Sequence, residues 1–131
     1  MWMRIDPSDG VPIYDQIVRQ VTFAVADGLL RPGELVPSVR ELSRQLTVNP
    51  NTVARAYRQL QDEHVLRPVR GTGLAVAQGA AARCRKKRAA LIRQRLQQFL
   101  NEARRSGLEK SELASWIETE MARVYNAEAR T

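Results

Sequence analysis

The sequence predicts a mainly α-helical fold: three helices and a β-hairpin, followed by a two-helix tail. Three observations carry that prediction. Apolar residues recur at helical spacing in five separate stretches, a glycine-bracketed pair of short apolar runs interrupts that rhythm, and proline and glycine mark the boundaries.

The first ten residues are a polar lead-in ending Asp6-Pro7-Ser8-Asp9-Gly10. Pro12 suits the first turn of a helix, where the N–H it lacks would be unpaired anyway. Ile13, Ile17, Val21 and Val25 follow close to the helical period, until Gly28 ends the helix and Arg31-Pro32-Gly33 forms a turn. Ser38 and Glu41 have capping-box spacing and open a short helix with Val39, Leu42 and Leu46 on one face. Thr47-Val48-Asn49 breaks it. Asn49 can cap a third helix and Pro50 can start it; this helix runs to about Glu63 and buries Val53, Ala56, Tyr57 and Leu60.

Val65 to Val69 and Gly73 to Ala77, separated by Arg70-Gly71-Thr72, read as a β-hairpin. Gly79 to Ala82 is expected to be a hinge into a long helix, whose Ile92, Leu96, Phe99, Leu100 and Ala103 form one apolar stripe. Ser106-Gly107 stops that helix. A last helix carries Leu113, Trp116, Ile117, Met121 and Val124 on one side, and residues 127–131 are expected to fray.

Composition narrows the function. A length of 131 residues suits one ordinary domain or a small one with an appendage, and a net charge of +7 points to an anionic partner. Residues 1–78 hold nine Lys and Arg against eight Asp and Glu, whereas residues 79–131 hold twelve against six, so the excess lies in the tail. The single cysteine, Cys84, excludes an intrachain disulfide. The opening Met-Trp-Met-Arg-Ile-Asp lacks the apolar core of a signal peptide, and no run approaches the roughly 18 apolar residues of a membrane span. A cytoplasmic protein with no membrane partner is expected. His64 and Cys84 lack metal-ligand spacing, and no Ser-His-Asp or paired-carboxylate site is suggested. Arg70-Gly71-Thr72-Gly73 lacks the lysine and the strand-loop-helix setting of a nucleotide loop. Neither an enzyme nor a cofactor or metal site is expected.

The helices starting at Val39 and Asn49 are separated by about three residues, the spacing of a helix-turn-helix, in which the second helix lies in the DNA major groove and the first braces it. The hairpin after them supplies a wing. The fold class is therefore a winged helix-turn-helix over residues 1–78, with a helical tail over residues 79–131.

Five ordered segments carry a family resemblance: Pro12-Ile13-Tyr14-Asp15-Gln16-Ile17, Leu30-Arg31-Pro32-Gly33-Glu34, Pro37 to Leu42, Val48 to Tyr57, and Arg70 to Gly73. Together they resemble the GntR DNA-binding domain over residues 10–78, and the Asn49-Pro50-Asn51-Thr52-Val53 run with the short tail resembles the YtrA-like subfamily. The resemblance implies a transcriptional repressor, often encoded beside a membrane-transporter operon. Relatives often carry arginine where Pro50 and Ala54 stand, glycine at His64 and an aromatic residue at Ala75. These departures shift the expected base reading toward Asn51, Arg55 and Arg58. They also predict a less favourable helix stop and a less well anchored wing.

Chemistry and resemblance together give the expected double-stranded DNA contacts. Arg40, in the first turn of its helix, can reach a phosphate or a guanine edge. Asn49, Asn51 and Thr52 lie at the N-terminus of the recognition helix, where exposed N–H groups suit phosphate. Asn49 is equally readable as a plain N-cap, and Arg58, further along with Arg55, as an ion-pair partner of Asp62. Tyr57 is read as core. Arg70, Gly71, Thr72 and Gly73 form the wing tip, where glycine lets the backbone approach the sugar-phosphate chain. The run Arg83 to Arg88 reads either as a solvated helix face or, by a small margin, as a source of non-specific attraction to DNA.

The tail is too short for the separate effector domain of larger GntR proteins, and a small-molecule effector is left open. Its two amphipathic helices cannot cover their stripes alone. A homodimer through Ile92, Leu96, Phe99, Leu100, Leu113, Trp116 and Ile117 is expected, presenting two recognition helices to a palindromic operator. Two other classes share the same pattern: an architectural nucleic-acid binder without sequence preference, and a winged helix that docks a protein partner. The asparagine-rich start of the third helix favours sequence-specific reading over both.

Overall fold

A computed structural model describes residues 2–129. The elements are α1 (Ile13–Ala26), α2 (Val39–Leu46), α3 (Pro50–Asp62), β1 (Leu66–Val69), β2 (Gly73–Val76), α4 (Ala80–Arg105) and α5 (Lys110–Ala129). The fold is the mainly helical, winged one expected. The chain divides into two compact units that meet between Ala90 and Leu91. Among the described residues, no helix is long and apolar enough to cross a membrane.

In the first unit, α3 packs against both α1 and α2. The core takes Ile17, Val21 and Val25 from α1, Leu42 from α2, and Val53, Ala56 and Leu60 from α3, every one essentially inaccessible. Burial of each of the Ile, Val and Leu side chains among them contributes about 1.5–3 kcal/mol. The polar lead-in is strapped to α1 by two glutamines. Gln16 Oε1 accepts from the Asp6 N–H at 2.9 Å while its Nε2 donates to the Asp6 carbonyl at 2.7 Å, and Gln20 Oε1 accepts from the Arg4 N–H at 3.0 Å. These side-chain amides stand in for a neighbouring strand and bring Met3 into the core.

The hairpin pairs antiparallel in the register Leu66↔Val76, Arg67↔Ala75, Pro68↔Leu74 and Val69↔Gly73. Only a turn is legible in the sequence near residues 31–33, but the chain after that turn joins the wing. Val36 N–H donates to the Leu74 carbonyl at 3.0 Å, Val76 N–H to the Glu34 carbonyl at 2.9 Å, and Leu35 bridges Ala75. Ala75 is fully buried with backbone partners on both sides. The wing, expected to be less well anchored with alanine at position 75, is held by main-chain hydrogen bonds.

The expected hinge over residues 79–82 is confined to Gly79, whose φ is +75°. Helix α4 begins at Ala80, because alanine is the strongest helix former and Ala80 is wholly enclosed by the core. Cys84, one turn later, is enclosed in the same way. The first compact unit therefore takes in the root of α4 and runs to Ala90.

The second unit holds the rest of α4 together with α5. Gly107, at φ +82°, makes the left-handed stop between them, with the Leu108 N–H donating to the Ala103 carbonyl at 3.2 Å. Helix α5 continues to Ala129, past the point where fraying was expected; residues 130 and 131 lie outside the described residues.

Candidate nucleic-acid interface

Local chemistry fixes both helices of the helix-turn-helix. Glu41 N–H donates to Ser38 Oγ at 3.0 Å and Ser38 N–H donates back to Glu41 Oε1 at 3.1 Å, completing the capping box. The Ser38 backbone N–H, then its hydroxyl, hold the Glu41 carboxyl below its ordinary pKa. Thr47, at φ +55°, ends α2 in the left-handed region. Asn49 then caps α3, its side chain accepting from the Asn51 N–H at 2.8 Å, with Pro50 as the first helical residue. Of the two readings open for Asn49, the capping one is observed.

Helix α3 has two clear faces. Val53, Ala56, Tyr57 and Leu60 are buried, and the Tyr57 hydroxyl donates to the Pro37 carbonyl at 2.7 Å, tying α3 to the approach of α2. Asn51, Arg55 and Arg58, at i, i+4 and i+7, share the opposite, exposed face. Thr52 is half-buried at the flank of that face. No Arg58–Asp62 ion pair forms among the described residues, whose pairs are Lys87–Glu63, Arg88–Asp27 and Arg123–Glu120.

Arg55 has a partner that sequence reasoning missed. Its guanidinium carbon lies 3.7 Å from the centroid of the Tyr14 ring, on α1. In the sequence Tyr14 stands out only as part of a family segment, and nothing in a linear pattern joins it to Arg55. Arg40 is exposed in the first turn of α2, while Arg70, Gly71, Thr72 and Gly73, all exposed, lie on a separate element, the wing tip. Gly71, at φ +75°, makes that tip possible. Arg67, on β1, is a further exposed cation of the wing.

The basic run divides in two. Arg83 donates to the carbonyls of His64 and Gln78, Lys87 pairs with Glu63, and Arg88 pairs with Asp27. Burial pushes the Lys87 pKa down, against the opposing pull of Asp15. These three cations fasten the root of α4 to the rest of its unit. Arg85 and Lys86 are exposed and make no ion pair among the described residues. No cluster of three potential metal ligands occurs among the described residues.

Residues 13–76 match the family described as bacterial regulatory proteins, gntR family. The chain is 35% identical over 115 residues to the HTH-type transcriptional repressor YtrA of Bacillus subtilis (strain 168), a match covering 88% of each chain. This chain belongs to the GntR family. The YtrA-like subfamily is supported by the same match, which runs beyond the winged helix into the tail. A solved GntR family transcriptional regulator from Listeria monocytogenes is 32% identical, with a TM-score of 0.67, over 86% of this chain and 97% of its own. AraR(DBD) in complex with operator ORX1 is 27% identical, with a TM-score of 0.50, over 56% of this chain and 90% of its own. As a GntR member the chain is a DNA-binding transcriptional regulator, not an enzyme.

Proposed function

We propose that this GntR protein is a cytoplasmic homodimeric repressor that reads a palindromic operator, with residues 1–78 as its reading head and residues 79–131 as its dimerisation tail. The observation that carries the proposal is an open apolar trough in the second unit. Phe99, Leu113, Trp116, Ile117, Met121 and Val124 line a cavity of about 380 Å³, with Trp116 and Met121 half-exposed. Ile92, Leu96 and Leu100 extend the exposed apolar surface along α4. A surface of this kind calls for a partner, and a second copy brings a matching one through two-fold symmetry.

Two-fold pairing would present two α3 helices to two half-sites. On each, Asn51, Arg55 and Arg58 would face base edges. Arg40, with Asn49 and Thr52 at the start of α3, would hold phosphate, and Arg70, Gly71, Thr72 and Gly73 would follow the neighbouring groove. The family resemblance supports a transporter operon as the regulated target.

The test joins mass to sequence selection. Light scattering should give twice the 14.8 kDa chain mass, and Phe99→Asp, at an already exposed position, should return the monomer while leaving the winged helix folded. Wild-type protein should enrich a palindrome from a random DNA pool, and the monomeric variant should bind it far more weakly. A monomeric wild type, or a selected site without two-fold symmetry, would overturn the proposal.

A further inference from the structure

The geometry points to Tyr14 as a positioning residue for DNA reading: its ring, on α1, holds the Arg55 guanidinium flat so that the edge of that group meets the nucleic acid already aligned. The inference rests on the reading of α3's exposed face as the DNA surface.

Arginine is a poor reader when its side chain wanders. Fixing such a side chain costs rotamer entropy, which any contact has to offset. A guanidinium stacked on an aromatic ring gives up only its flat faces, and its N–H donors lie in the plane, directed outward from the ring. At 3.7 Å from the ring centroid, Arg55 is within ordinary stacking distance. Tyr14 is itself steady. It is half-buried in the first turn of α1 and packed against the core, so the surface on which Arg55 rests belongs to the rigid part of the unit. Asn51 and Arg58 share the exposed face of α3 but have no such support among the described residues. Arg55 is thus the one side chain of that face whose direction is set before DNA arrives.

The stack also explains how one helix governs another without touching the ligand. Helix α1 carries no residue of the proposed DNA-binding set, yet through Tyr14 it sets the orientation of a guanidinium on α3. Its effect is on discrimination: a held guanidinium tolerates a displaced acceptor less well than a mobile one.

A double-mutant cycle tests this on the duplex that wild-type protein enriches from a random pool, beside a scrambled duplex of the same composition. Arg55→Ala should weaken binding to the enriched duplex by about tenfold or more. Tyr14→Leu keeps apolar packing but removes the π-face, and should cost about three- to tenfold, the range of a partly exposed cation–π pair. Tyr14→Phe keeps the face and should bind within about twofold of wild type. In the Arg55→Ala background, Tyr14→Leu should add no further loss, and binding to the scrambled duplex should change little throughout. Thermal unfolding of each variant separates a folding defect from a binding one. Tyr14→Leu that binds like wild type while Arg55→Ala is weak would overturn the positioning role and leave the DNA face standing. So would an equal Tyr14→Leu loss with and without Arg55. Wild-type binding by Arg55→Ala would overturn the DNA face and the positioning role together.

Discussion

His64 stands at φ +60° with its side chain exposed, directly after α3, in a conformation that glycine adopts without crowding. Arg83 reaches its carbonyl, so the backbone group turned out by this stop has a partner. Removing the Cβ relieves about 1–2 kcal/mol of left-handed crowding, against about 0.4–1 kcal/mol of added freedom in the unfolded chain. His64→Gly should therefore raise stability by up to about 1.6 kcal/mol. Urea unfolding at fixed protein concentration measures it, and a midpoint below wild type would contradict this account. The strain was legible through the family resemblance, which places a glycine at this position. The capping box of Ser38 with Glu41 and the Asn49 cap were legible directly, because their partners lie within three residues. The stacking of Arg55 on Tyr14 was not legible, since it depends on how α1 and α3 cross.

At the scale of elements, the root of α4 shows why a charge run is ambiguous in sequence. Arg83, Cys84, Lys87 and Arg88 fall at i, i+1, i+4 and i+5, one helical face, and that face docks. Arg85 and Lys86 point elsewhere and stay exposed. The two sets should behave differently. Arg85→Gln with Lys86→Gln should flatten the salt dependence of DNA binding, by about 0.9 in log–log slope for each phosphate these cations neutralise, with stability unchanged. Lys87→Gln with Arg88→Gln should leave that slope alone and lower unfolding stability by about 0.5–1 kcal/mol each. A slope that responded only to the second pair would move the DNA attraction to the docked face. The strand-like segment at residues 34–36 was missed for a related reason. Its hydrogen bonds go to β2, far along the chain, and three residues show no alternation of their own. The hinge expected over residues 79–82 shrank to Gly79 because burial of Ala80 was invisible in an alanine run.

For the whole molecule, the question is what covers the apolar surface of the second unit. The lining of the trough, Phe99 to Val124, is almost all apolar. If pairing of two copies covers it, folding and association are linked, and the dimer gains stability with concentration. The melting temperature should then rise as the chain is concentrated over about two decades, and Phe99→Asp should abolish the rise. A melting temperature that ignores concentration in wild type would separate the stability of the fold from any pairing. The amphipathic pattern of the tail was readable from its periodicity. What covers the pattern was not, because an exposed stripe and an interface have the same sequence.

Cys84 gives the molecule a reporter of its own. It is the chain's single cysteine, wholly enclosed where α4 meets the core, and burial pushes its thiol above the ordinary pKa despite the opposing charge of Arg83. Only an accessible thiolate reacts, so an alkylating reagent has to wait until the root of α4 lifts away. The pace of alkylation in the native protein then reports those openings, with no substitution introduced. Its response to denaturant tells a joint that breathes alone from one that opens only when the whole unit unfolds.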